Sequence, residues 1–154
     1  MNWRLSACLT VVVFVCLLAA CSQNIRRTGM PAGARSVLDT SIEDIDAGRY
    51  EKLYHEAADE WRNEAPLDES KATFQKLREK LGRVRTRDLQ TSREEQTSTG
   101  PVPGHSLIVV YQATFDQTRG TPPQPIKGIE TFTLLEHGGR WYLARYFVSS
   151  DALK

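Results

Sequence analysis

The hydrophobic period of the chain changes at Gly82, and this change constrains the fold more than any other feature. Before Gly82, apolar residues recur every three or four positions, which is the period of an amphipathic helix. After Gly82 they alternate with polar residues, which is the period of a strand with one buried face. Helices that precede a set of strands, rather than alternating with them, indicate the α+β class.

Three helices are predicted before Gly82, because three apolar stripes at helical spacing are separated by glycine or proline. Gly48 follows the first stripe and Gly82 the third, where a helix C-cap favours glycine. Pro66 separates the second stripe from the third. In order, the predicted helices cover residues 34–47, 50–61 and 68–81.

About four antiparallel strands are predicted after Gly82. Gly138 and Gly139 suit a two-residue turn between the last two strands. The predicted strands cover 84–89, 107–116, 129–135 and 141–148, with loops at 97–104 and 119–125. In the last strand, simple alternation places Trp141, Leu143, Arg145 and Phe147 on one face, and Tyr142, Ala144, Tyr146 and Val148 on the other.

The first 20 residues have the parts of a secretory signal: Arg4, an apolar run over 7–20, and small residues before Cys21. The run has 14 residues, whereas a membrane-spanning helix needs about 20. The segment Leu18-Ala19-Ala20-Cys21 resembles the lipobox of bacterial lipoproteins. The resemblance implies cleavage between Ala20 and Cys21, with lipid on the Cys21 sulfur and acylation of its new amine. A conventional cleavage site beside an incidental cysteine is the alternative.

This interpretation divides the chain into a signal peptide (1–20), a lipidated tether (21–33) and a single α+β domain (34–154). The predicted location is the cell envelope, on a bacterial membrane and facing away from the cytoplasm. Ser22 after the cysteine resembles outer-membrane sorting, which would mean the periplasmic face if the host is Gram-negative. Two or three acyl chains would anchor the domain stably, whereas one chain binds a membrane only marginally.

Cysteine content and charge exclude several classes of protein. Of the three cysteines, Cys8 and Cys16 would leave with the signal. The mature domain would then have no disulfide and no cysteine-based metal site. Without Arg4, the chain has 19 basic and 19 acidic residues. The net charge therefore gives no argument for nucleic-acid binding. We expect no nucleic-acid partner.

The order of elements, with small and aromatic residues at scattered positions, resembles nuclear-transport-factor-like (cystatin-like) domains over about 36–148. The residues that carry this resemblance are Asp46-Ala47-Gly48-Arg49-Tyr50, Leu53-Tyr54, Phe74, Leu77, Leu81-Gly82 and Trp141-Tyr142-Leu143-Ala144-Arg145-Tyr146. More narrowly, the chain resembles an uncharacterised lipoprotein family of unknown function within that group. The resemblance implies a cone in which helices pack on a curved antiparallel sheet, often around a cavity. Some members use an Asp or His with a Tyr for proton transfer or dehydration, but no position here matches such a motif.

Aromatic residues and one arginine supply the candidate binding face. Most aromatics are expected in the core, yet Tyr and Trp combine apolar area with a polar group and also suit docking surfaces. Arg145 either binds a carboxylate or phosphate or pairs with an acid of the first or second helix. The candidate pocket or partner face comprises Tyr54, Trp61, Tyr111, Trp141, Arg145 and Tyr146.

The three histidines give little support to a metal site. His55 has Glu51 and Asp59 four residues away on either side, which fits either metal ligation or a solvated helix face. The apolar stripe falls elsewhere on that helix, so we predict the solvated face. His105 and His137, in a loop and a turn, are expected to face solvent. We predict no metal and no cofactor.

The function is therefore predicted from the N-terminal signal with its lipobox-like segment and from a domain without catalytic motifs. The sequence has no Gly-rich phosphate loop, serine elbow, HExxH or CxxC. We predict a lipid-anchored, extracytoplasmic binding or interaction module without catalysis, whose partner is an envelope protein or a small ligand. The alternatives are a carrier or sensor of a small apolar or acidic ligand in the cone, and an isomerase- or dehydratase-like enzyme. A homodimer through the sheet is also expected from the resemblance.

Overall fold

Four helices precede a four-stranded antiparallel sheet in the computed structural model of the chain, which describes residues 29–100 and 102–154, without the side chain of residue 119. The helices are α1 (Ala32–Ala47), α2 (Tyr50–Glu56), α3 (Asp59–Glu64) and α4 (Leu67–Leu81). The strands are β1 (Val84–Thr97), β2 (Gly104–Arg119), β3 (Gln124–His137) and β4 (Arg140–Ser149), followed by a 3-10 turn at Asp151–Leu153. The predicted signal peptide, its cleavage site at Ala20 and Cys21, and most of the tether lie outside the described residues.

The α+β class and the four antiparallel strands are confirmed, but the prediction of three helices is wrong. The backbone is extended at Ala57 and Ala58, and this break divides the predicted second helix into α2 and α3. The Ala58 amide donates a hydrogen bond of 2.9 Å to the carbonyl of Leu143 on β4. A contact with the sheet thus replaces a helical hydrogen bond, which periodicity along the chain cannot reveal.

The sheet is a simple meander in which each strand pairs with the next, in the order β1-β2-β3-β4. β1 extends to Thr97, eight residues beyond its predicted end, and pairs with β2 along its whole length. The added residues are mostly polar. Because backbone groups form the ladder, an edge strand exposed to water can be long without an apolar pattern.

A β-bulge in β4 overturns the predicted faces of that strand. Arg145 pairs with Thr133 and Leu143 pairs with Leu134, so Ala144 is an extra residue in β4. Such an insertion shifts the alternation of side chains by one position. Leu143 and Tyr146 consequently contact the same core, and Phe147 is 59% exposed.

The main core lies between the helices and one face of the sheet. It joins Ala34 and Leu38 of α1 to Phe74 of α4 and to Val109 and Phe132 of the central strands. The Phe74 ring stacks on Tyr50 and Tyr146, with ring centroids 4.9 and 5.5 Å away. The aromatic residues thus fill the space between α2, α4 and β4, as expected for most of them. Within the described residues, no helix is long and apolar enough to cross a membrane.

Candidate functional site

Three of the six predicted partner-face residues, Trp61, Arg145 and Tyr146, line one open groove of about 540 Å³. The groove lies between α3 and α4 on one side and β4, the last strand of the sheet, on the other. The other three predicted residues lie elsewhere. Since β4 is an edge strand, the groove borders a part of the sheet where a further strand can pair.

The groove has an apolar floor and a charged rim. Trp61 and Phe74 stack with centroids 5.9 Å apart, and Leu77 continues this floor along α4. The Trp61 indole N–H donates to the Ser70 hydroxyl at 3.2 Å, which fixes the orientation of the ring. Phe147 of β4, which is exposed, also lines the groove.

Charge on the rim comes from Glu64, Glu69 and Arg145. One guanidinium nitrogen of Arg145 donates to both carboxylate oxygens of Glu64, at 2.8 and 3.0 Å. The predicted ion pair of Arg145 is therefore present, and its acid lies on α3. Both side chains are exposed, at 38% and 61%, and an exposed pair contributes little to stability. It can exchange for a pair with a ligand at small cost.

Tyr146 reaches from the groove into a buried network of charged groups. Its hydroxyl donates to the fully buried carboxylate of Glu130 at 2.6 Å. Arg87 of β1 donates to the same carboxylate at 2.6 Å and to Asp46 of α1 at 2.7 Å. Burial, together with the charge of Glu130, raises the pKa of Tyr146 well above its ordinary value. The network joins α1, β1, β3 and β4.

Glu130 and Arg87 were not among the residues predicted from sequence. Glu130 occupies the same alternation phase as Phe132 and Leu134, so its position in the pattern indicates an inward-facing charge. Arg87 had no such signal, because β1 is mostly polar and shows no regular apolar alternation. Burial is the largest single influence on Arg87 and lowers its pKa, but the hydrogen bonds and charges of Asp46 and Glu130 together outweigh burial and raise the pKa.

The space between α4 and the sheet beneath Tyr146 is small. A void of about 30 Å³ lies beside Tyr50, Tyr146 and Val148, which is room for roughly one water molecule. Small-molecule sites usually have several hundred Å³. This void beside the Tyr146 ring is therefore too small for a substrate.

Tyr54, Trp141 and Tyr111 each occupy a different part of the molecule. The Tyr54 hydroxyl donates to the carbonyl of Ala65 at 3.1 Å and holds the end of α3. Trp141 packs against the core near α1. Tyr111 meets Phe132 edge-on at 6.0 Å and lines a separate pocket beside α1.

His105 does not face solvent from a loop, as predicted, but lies on β2 between two carboxylates. Its Nε2 is 3.0 Å from Glu94, its Nδ1 contacts Glu136, and its ring lies 5.1 Å from that of Trp141. The hydrogen bond with Glu136 raises the pKa of His105, burial opposes this shift, and Glu94 adds to it. The sequence did not show this arrangement because the three residues come from three different strands.

The other two histidines are exposed. His137 is 3.0 Å from Glu60 of α3, and His55 lies on the exposed side of α2. Within residues 29–100 and 102–154, no three His, Cys, Asp or Glu side chains are grouped so that they could hold a metal ion.

A family model described as "Protein of unknown function (DUF4019)" matches residues 38–146. This range runs from α1 into β4 and includes the groove and the buried network. No curated protein matches the chain. The match agrees with the expectation of an uncharacterised domain family.

Proposed function

Because the chain belongs to DUF4019, a family of unknown function, we propose its function from its own residues: a lipid-anchored, extracytoplasmic interaction module. We place its partner site in the groove between α3, α4 and β4. The partner is an extended segment of an envelope protein that carries an apolar side chain beside a basic one. This role requires no catalysis by the domain.

The proposed lipid anchor is argued from the segment Leu18-Ala19-Ala20-Cys21, which lies between the apolar run of the predicted signal and the tether. Cys21 precedes Gly29 by eight residues, which span at most about 27 Å when fully extended. Acyl chains on Cys21 would thus keep the domain close to the membrane surface. We propose the side facing away from the cytoplasm, and the periplasmic face of the outer membrane if the host is Gram-negative.

The single observation that carries the partner site is the convergence of Trp61, Arg145 and exposed Phe147 at the β4 edge of the sheet. Trp and Arg are enriched among residues that dominate binding energy at interfaces. The floor offers apolar contact, and the edge of β4 suits a peptide in extended conformation.

Charge on the rim selects the kind of partner. Glu64 and Glu69 outnumber Arg145, so the lining carries a net negative charge. A basic side chain on the partner can pair with Glu64 or Glu69, while an apolar side chain covers Trp61. Complementary charge of this kind favours encounter with the correct partner.

Two further proposals follow the same reasoning. We propose a nuclear-transport-factor-like cone, since helices followed by a four-strand meander agree with that arrangement. We also propose that the sheet face opposite the helices, which carries Ile108 and Val110 in alternation with the buried Val109, supports a homodimer. The small volume of the void beside Tyr50 and Tyr146 favours the open groove over a ligand site at that position inside the cone.

Photo-crosslinking in the host envelope tests the partner site. A photoreactive phenylalanine at position 147 should form an adduct with one discrete envelope protein, whereas the same probe at exposed Lys76 of α4 should not. Glu64→Lys reverses the charge on the rim and should abolish the adduct. Equal adducts from both positions, or an adduct that survives Glu64→Lys, would contradict the groove as the site.

Membrane fractionation tests the anchor separately. Cys21→Ser should release the chain from membranes or leave an unprocessed precursor, and incorporation of labelled fatty acid should disappear. A Cys16→Ser chain is the matched control, because this cysteine lies within the predicted signal. Unchanged acylation of Cys21→Ser would exclude the proposed lipid site.

A further inference from the structure

A second pocket, of about 270 Å³, lies between the start of α1 and strands β1 and β2, on a different part of the molecule from the groove. Its lining includes Arg35, Leu38, Asp39, Leu89, Ser92 and Tyr111. Gly29 and Met30 border it, so it lies where the predicted tether enters the domain. Its volume fits a small molecule or a headgroup rather than a large ligand.

One lining residue has an unsatisfied polar group. The Ser92 hydroxyl is buried and has no hydrogen-bond partner among the described residues. A buried hydroxyl without a partner is unfavourable, so an ordered water, an ion or another polar group is expected to satisfy it. This hydroxyl is the one buried side-chain polar atom without a partner in the described part of the chain.

Two opposite charges line the same pocket as Ser92 without pairing. Arg35 and Asp39 are exposed and one turn apart on α1, and no hydrogen bond or ion pair joins either side chain to another described residue. Residues four apart on a helix are neighbours on its surface. The pocket lining therefore includes one cation and one anion from the same face of α1.

Tyr111 and Leu89 complete an amphiphilic lining. Burial raises the pKa of Tyr111, the charge of Asp39 raises it further and that of Arg35 lowers it. The phenol accordingly lies close to both charges. Leu89 is 55% exposed, and it and Phe147 are the two exposed large apolar side chains of the described residues.

We propose that this pocket binds a small zwitterion, whose phosphate or carboxylate pairs with Arg35 and whose primary ammonium pairs with Asp39. An apolar portion of the ligand would lie against Leu89. Phosphoethanolamine has this chemistry, either as a soluble compound or as the headgroup of a phospholipid. The proposal that a phospholipid supplies the headgroup rests on the proposed anchor, which would hold the pocket near the membrane. The proposal that the pocket binds a zwitterion does not depend on the anchor.

Calorimetric titration of the full chain in maltoside micelles tests the site, with O-phosphoethanolamine as the probe. Binding should exceed that of ethanolamine or inorganic phosphate, since each of these satisfies only one charge. Arg35→Gln and Asp39→Asn should each weaken binding about tenfold or more, which is the effect of one charge-assisted hydrogen bond. Lys76→Gln and Glu79→Gln, which remove exposed charges on α4, are the matched controls and should bind within twofold of the parent.

Each outcome is decisive. Absence of binding, or equal loss in the α4 controls and the pocket variants, would overturn the proposal. Competition by phosphatidylethanolamine added to the micelles, but not by phosphatidylglycerol, would assign the lipid source. Retained binding without such competition would assign a soluble zwitterion. Because the titration involves neither the acyl anchor nor the groove, its failure would leave the proposed function untouched.

Discussion

The hydroxyl of Tyr146 donates a hydrogen bond of 2.6 Å to the carboxylate of Glu130, and the pair joins β4 to β3 inside the protein. Arg87 binds the same carboxylate from β1, and its side chain is only 12% exposed. Glu130 therefore carries a buried charge that is balanced by one cation and one hydroxyl. Tyr146 borders the groove, but its hydroxyl acts in this network rather than on the surface.

Glu130→Gln should lower the free energy of unfolding by about 3 kcal/mol or more, because it leaves the buried guanidinium of Arg87 without its charged partner. Urea denaturation measures this loss. Glu64→Gln is the matched control: it breaks an Arg–Glu pair that is exposed at both ends, and it should cost under about 1 kcal/mol. Equal losses in the two variants would show that the Glu130 network does not stabilise the fold.

Alkaline pH should weaken the fold through Tyr146. Its pKa is raised in the folded state, so its contribution is complete below the unfolded pKa of about 10. That contribution is lost as the pH rises through the folded pKa. The free energy of unfolding, measured from pH 9 upwards, should fall less steeply in Tyr146→Phe than in the parent. Tyr142→Phe is the control, and an identical slope in Tyr146→Phe and the parent would contradict this assignment.

His105 should titrate above its ordinary pKa of about 6.5, because the carboxylate of Glu136 stabilises its charged form. The stabilisation is complete below the unfolded pKa and is lost as the pH rises through the folded one. Glu136→Gln should bring the NMR-measured pKa of His105 down more than Glu94→Gln does, since Glu136 is the larger cause. A pKa unchanged in Glu136→Gln would refute the pairing.

Gly82→Ala should destabilise the domain more than Gly48→Ala, although both glycines end helices at positive φ, 81° and 73°. At Gly48 an added Cβ meets only ordinary contacts, so the cost is about 1 kcal/mol. At Gly82 the Cβ would overlap the carboxylate of Asp116 and crowd the backbone of Gln117. Thermal denaturation of both variants compares the two costs, and equal midpoints would argue against this crowding.

Periodicity along the chain was sufficient for the fold class and for most of the elements. The apolar stripes at helical spacing predicted α1 and α4, and the alternation after Gly82 predicted the antiparallel strands. It was insufficient where a contact distant in sequence decides the local structure. The break at Ala57–Ala58 depends on a hydrogen bond with Leu143, and the faces of β4 depend on one inserted residue.

The candidate sites likewise depend partly on residues that the sequence predicts and partly on contacts between elements. Residue type predicts Trp61 as a partner-face residue, and its position on an otherwise apolar strand face predicts Arg145; the fold brings both to one groove because α3 packs beside β4. Residue type also predicts Tyr54 and Trp141, but their surroundings give them structural contacts. The pocket at Arg35 and Asp39 was not predicted, because Ser92 and Tyr111, which complete it, come from separate strands.

The amino-acid sequence by itself determined the order of helices and strands and the caps at Gly48 and Gly82, because these depend on spacing and on local backbone preference. Only the tertiary structure decided the partners of Glu130, the environment of His105 and the two pockets, because each joins residues from at least two elements. Charge and residue type are local properties, whereas the burial of a side chain and its interaction partners depend on packing.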